Sequence, residues 1–85
     1  MTARETVAHN VRRLRVARGV SAEMLAADAQ MDKAYLSQIE RGLGNPTVDM
    51  LEKLAGALEV ELGEFFTPPG DVAPKPLRAG RKPKN

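Results

Sequence analysis

Residues 21–42, SAEMLAADAQMDKAYLSQIERG, decide the fold. Ser21 stands where a helix N-cap is needed, Glu23 follows in the first turn where the helix dipole favours an anion, and Met24, Leu25 and Ala29 supply apolar contacts. This predicts a short helix over Ala22–Ala29. After a break at Gln30–Met31, Asp32 caps a second helix over Lys33–Arg41, in which Leu36 and Ile39 face inward and Gly42 provides the stop. The polar side of that helix, with Lys33, Ala34, Ser37, Gln38 and Arg41, is left outside.

Upstream, Val7, Val11, Leu14 and Arg18 recur at helical spacing and Gly19 can end the run in a left-handed residue, which predicts a helix over Glu5–Arg18. Downstream, GLGNP (42–46) reads as a loop, and Thr47 can cap a helix over Val48–Leu58 with an apolar stripe of Val48, Leu51, Leu54, Ala55 and Leu58. A last turn, Leu62–Phe66, carries both phenylalanines of the chain and is expected to close the core. The one strand candidate, LEVEL (58–62), is short and lies between helical stripes. The expectation is an all-α fold, a compact bundle of five short helices in one domain over residues 1–66. Residues 67–85, rich in Pro, Gly and basic side chains, are expected to form a disordered basic tail.

A chain of 85 residues has room for one core, and at this size only about 60% of the unfolded surface is buried, so its stability margin is thin. There is no cysteine, which excludes disulfides, a thiol nucleophile and thiolate zinc sites. The apolar runs are far too short to span a bilayer and the start lacks a signal-peptide core, so a soluble cytoplasmic protein with no membrane association is expected. The net charge of +2 is unevenly distributed: residues 1–46 carry seven Lys/Arg against five Asp/Glu, residues 47–66 one against five, and residues 67–85 five against one. One face can therefore approach phosphates while the middle segment stays away from them.

Two short helices joined by a tight turn, the second presenting polar groups, are the physical description of a helix-turn-helix. From about Val7 to Phe66 the chain closely resembles the phage repressor and Cro-type (XRE-like) helix-turn-helix regulators, most strongly in YLSQIERGLGNPTVDMLEKLAGAL (35–58). The resemblance implies a lambda-repressor-like DNA-binding domain of a transcriptional regulator, located at the nucleoid when bound to DNA. With Leu36 and Ile39 committed to the core, Lys33 can donate to guanine, Gln38 can pair with adenine, Ser37 can serve either and Ala34 can pack on a thymine methyl. The resemblance puts base contacts on the same Lys33, Ala34, Ser37 and Gln38, and phosphate contacts on Arg41, Asn45 and Thr47. It also implies an ion pair between Arg15 and Glu40 that fixes the recognition helix against the first helix. Tyr35 either meets the DNA backbone or packs beside the core. Arg12, Arg13 and Arg18 either meet phosphates or solvate the first helix, and His9 reads as a surface residue without a catalytic partner.

Two positions depart from the family. Ala22 stands where a Gln usually grips a phosphate, and Gln30 stands where a Gly usually takes the left-handed conformation of the turn. In the tail, Arg78–Lys84 has some similarity to Gly-Arg-Pro hooks of the minor groove, although Lys82 interrupts the Arg-Pro step, and a plain solubilising or phosphate-tethering role is the other reading. One helix reads too few base pairs to select a site in a genome, so a homodimer on a palindrome is expected, with Val60, Leu62 and Phe65 as interface candidates. An alternative is an antitoxin-like module that binds DNA and also sequesters a protein partner. No metal-ligand spacing, nucleophile–base pair or phosphate-cradling glycine loop points to an enzyme, a metal or a cofactor.

Overall fold

A computed structural model describes residues 1–69 of the chain. The first helix, α1 (Ala3–Arg18), begins two residues earlier than the apolar spacing suggested, because Thr2 and Glu5 form a reciprocal capping box. It ends at Gly19, whose N–H returns to the carbonyls of Arg15 and Val16. The next helix, α2 (Ala22–Asp28), starts at Ser21, whose hydroxyl accepts from the Met24 N–H at 3.0 Å. The third, α3 (Lys33–Glu40), starts at Asp32 and closes with Arg41 as its C-cap, one residue short of the expected end. Thr47 caps α4 (Val48–Leu58) through the Met50 N–H at 3.0 Å.

The fifth element corrects the expected count of helices. Leu62–Phe66 is a 3₁₀ turn without a side-chain cap, so the described residues hold four α-helices, no strand and this turn. The two phenylalanines, as neighbours on this turn, face different ways. Phe65 is fully buried and belongs to the core, which overturns its assignment to a dimer interface, whereas Phe66 is 49% exposed. Val48 is likewise corrected: at 68% exposed it lies outside the α4 stripe, at the first position after the cap where the chain still turns away from the core.

The core joins Val7 and Val11 of α1, Leu25 and Ala26 of α2, Leu36 and Ile39 of α3, and Leu51, Leu54, Ala55 and Leu58 of α4 around Phe65. One polar side chain is buried among them. Asn10 Nδ2 donates to the carbonyls of Phe65 (2.9 Å) and Thr67 (2.8 Å), while its Oδ1 accepts from Arg13 Nε (3.2 Å). Asn10 thereby ties the 3₁₀ turn, and the first residue of the expected tail segment, to α1. Residues 70–85 of that segment, including Arg78–Lys84, lie outside the described residues. Among the described residues no helix is long and apolar enough to cross a membrane.

Candidate nucleic-acid interface

The turn between α2 and α3 is held by backbone bonds from the Gln30 N–H to Ala27 O (3.1 Å) and from the Met31 N–H to Ala26 O (2.8 Å). Gln30 has φ 57°, the left-handed conformation, without the glycine that usually occupies it. This turn sets α3 across α1 and α2 with Leu36 and Ile39 buried. The opposite side of α3 presents Lys33, Ala34, Ser37, Gln38 and Arg41, all exposed.

The loop after α3 is drawn back under its C-terminus. The Gln38 carbonyl collects the N–H groups of Arg41 (3.2 Å), Leu43 (2.9 Å) and Gly44 (3.1 Å). Gly42 takes φ 77°, and at Gly44 a Cβ would lie 3.0 Å from Ile39 Cγ1 and 3.2 Å from Ile39 N, so the loop can approach α3 this closely only without a side chain there. The result carries Asn45 and Thr47, both exposed, to the α3 side of the molecule. Tyr35 is half-buried against the core, and its hydroxyl accepts from the Asn45 N–H at 3.3 Å. That bond leaves the phenolic hydrogen free to donate outward.

Behind this surface, Arg15 and Glu40 form a bidentate pair. Arg15 Nε donates to Glu40 Oε2 at 2.7 Å and Nη2 to Oε1 at 3.0 Å, while Nη1 donates to the Val20 carbonyl at 3.0 Å. The two side chains are 16% and 11% exposed. The hydrogen bond to Glu40 holds the Arg15 guanidinium above the ordinary arginine range, opposed by burial and assisted by the Glu40 charge.

At the other end of α3, Lys33 Nζ lies 3.7 Å from Glu23 Oε2 in the first turn of α2. This pair is not legible in the sequence, since nothing local in a chain fixes the crossing of two helices. A shallow hollow lined by Ala22, Lys33, Ala34, Ser37 and Glu40 opens between α2 and α3, beside the short side chain of Ala22. Val60 and Leu62 are half-buried near the end of the fold. His9 is exposed, and among the described residues no three His, Cys, Asp or Glu side chains gather as a metal site would require.

The helix-turn-helix family pattern matches residues 11–65, from the middle of α1 into the 3₁₀ turn. The chain belongs to the helix-turn-helix family. It is 46% identical over 57 residues to the HTH-type transcriptional regulator SlrR of Bacillus subtilis, a match covering 66% of this chain and 38% of that one. An uncharacterised HTH-type transcriptional regulator, y4dJ, of Sinorhizobium fredii is 43% identical over 68 residues, covering 80% of this chain and 88% of the other. Among solved structures, the restriction-modification controller protein C.AhdI of Aeromonas hydrophila superposes with a TM-score of 0.72 at 36% identity, covering 74% of this chain and 96% of that one. Within that span, α2, the Gln30 turn and α3 are the two short helices and tight turn that the family name describes.

Proposed function

We propose that the protein is a sequence-specific DNA-binding transcriptional regulator that acts as a homodimer on a two-fold symmetric site, with α3 in the major groove. The observation that carries this is the division of α3: Leu36 and Ile39 are 0% and 1% exposed, whereas the side chains able to read base edges all point outward. Lys33, Ser37 and Gln38 supply donors and acceptors to bases and Ala34 an apolar contact, each well-made bidentate pair contributing about 1–3 kcal/mol of discrimination. Arg41, Asn45 and Thr47 grip the flanking phosphates. Tyr35 holds the Asn45 backbone in place and can add its own hydroxyl hydrogen to a phosphate oxygen. The dimer contact is assigned to Val60 and Leu62 together with Phe66, the exposed phenylalanine taking the part expected of Phe65. The basic segment 67–85 is a candidate accessory phosphate tether.

Selection of binding sites from random duplexes tests this reading. The expected result is enrichment of a palindrome whose half-sites lie about one helical turn apart. Enrichment of no common sequence overturns it. Sedimentation of the Phe66→Glu variant tests the interface, with a monomer expected and an unchanged dimer excluding Phe66 from it.

A further inference from the structure

We propose that Glu23 is a selectivity residue of this interface, which cancels the charge of Lys33 toward the phosphate backbone while holding its ammonium in place for a base edge. The inference rests on the DNA-binding role proposed above. Lys33 Nζ stands 3.7 Å from Glu23 Oε2, and both side chains are open to solvent, 57% and 75% exposed. Every charged residue lining the hollow between α2 and α3 has a partner of opposite sign: Lys33 has Glu23, and Glu40 has Arg15. With Asp32 as the exposed N-cap beside them, the end of α3 that enters the groove first carries no net positive charge. Arg41, at the far end, makes no ion pair among the described residues.

A free lysine beside the backbone attracts any phosphate and so strengthens binding to every sequence equally. An ammonium carries three donors. With one turned toward Glu23, the other two remain available for guanine O6 and N7, and the carboxylate repels a phosphate that approaches Lys33. Lys33 then acts as a directional donor, and Arg41 is left to supply the nonspecific grip.

The test titrates the selected duplex and a scrambled one across a range of salt concentrations, using wild type, Glu23→Gln, Lys33→Met and the double variant, each checked for an unchanged thermal melt. Glu23→Gln is expected to bind the scrambled duplex about two- to fivefold more tightly at low salt, an effect of the size of an exposed ion pair. Its salt slope should steepen by up to about 0.9, the share of one added phosphate contact. The preference for the selected duplex falls correspondingly. In the Lys33→Met background the same substitution should lose most of its effect. An equal gain in both backgrounds means that Glu23 repels phosphates without Lys33 and overturns the proposal, as does an unchanged preference ratio in Glu23→Gln. If wild type selects no sequence at all, the DNA-binding role itself fails, and that outcome is visible before any variant is compared.

Discussion

The polar groups of α1 that lie inside the fold and those on the outer side of α3 are used in opposite ways. On α1, hydrogen-bonding capacity is consumed inside the protein: all three guanidinium nitrogens of Arg15 have acceptors, and Asn10 uses both donor hydrogens and its carbonyl oxygen. On the outward side, the side chains of Ser37, Gln38 and Arg41 make no hydrogen bond among the described residues, and Lys33 meets Glu23 only at 3.7 Å. The difference separates groups that stabilise the fold from groups left for a ligand. Substitutions on the first side should therefore be read in melting curves, and those on the second in DNA binding.

The largest loss is expected from Glu40→Ala. It leaves Arg15, 16% exposed, without its charged partner, and a buried pair broken on one side costs about 3–5 kcal/mol. Residual exposure argues for the low end, about 3 kcal/mol, which in a domain of this size lowers Tm by more than about 10 °C. A shift of only a degree or two would place the pair with ordinary surface pairs, worth at most about 1 kcal/mol. The pH dependence has a definite sign. Arg15 is held above its ordinary value in the fold, so its contribution is complete below the unfolded value and is lost only as pH rises through the higher folded one. Raising the pH from neutral to mildly alkaline should accordingly leave the difference between wild type and Glu40→Ala unchanged.

Asn10→Ala should rank next. It removes the donor from two carbonyls, one buried and one partly buried, at a cost of about 2–3 kcal/mol measured by denaturant unfolding. Hydrogen exchange should quicken first in Leu62–Phe66, the turn that Asn10 latches. Uniform quickening would show that the contact serves the whole core rather than this turn.

Gains rather than losses are expected at the two left-handed non-glycine residues among the described residues, Gln30 (φ 57°) and Glu59 (φ 59°). Gln30→Gly should stabilise by about 0.5–1 kcal/mol, the left-handed penalty of an L-residue less the backbone entropy of glycine. Glu59→Gly should gain less, because it also removes an exposed pair with Arg18 at 3.1 Å. A lower Tm for Gln30→Gly would mean that the turn does not keep its left-handed residue in solution.

Much of this arrangement was legible because helix ends are local. Ser21, Asp32 and Thr47 announce their caps, and Gly42 its stop, within a few residues of chain. Thr2–Glu5 carries the same kind of signal, a capping box that starts the helix two residues ahead of the point where the apolar spacing begins it. Asn10, a polar residue three positions after Val7 and one before Val11, stood visibly on the apolar side of α1, yet its partners lie 55 and 57 residues away. The choice between Phe65 and Phe66 was not legible, because Glu59, Glu61 and Glu64 alternate with the apolar side chains there and leave the facing of the turn open. The Glu23–Lys33 contact depends on the angle between two helices, and that angle is set by the whole core.

The smallest expected effect on stability is the most informative about the outward side. Gln38 is exposed and its side chain is unengaged among the described residues, so Gln38→Ala should change stability by no more than about 0.5 kcal/mol. Its backbone carbonyl, which gathers three loop N–H groups, is untouched by the substitution, so Asn45 and Thr47 stay in place. Any loss of DNA binding must then come from the side chain itself. Site selection with this variant should relax the preference at one base position in each half-site while affinity for nonspecific DNA and its salt slope remain those of wild type. A uniform loss across sequences would move Gln38 from base reading to backbone grip. An unchanged base preference would remove it from the interface, leaving Lys33 and Ser37 as the polar readers of α3.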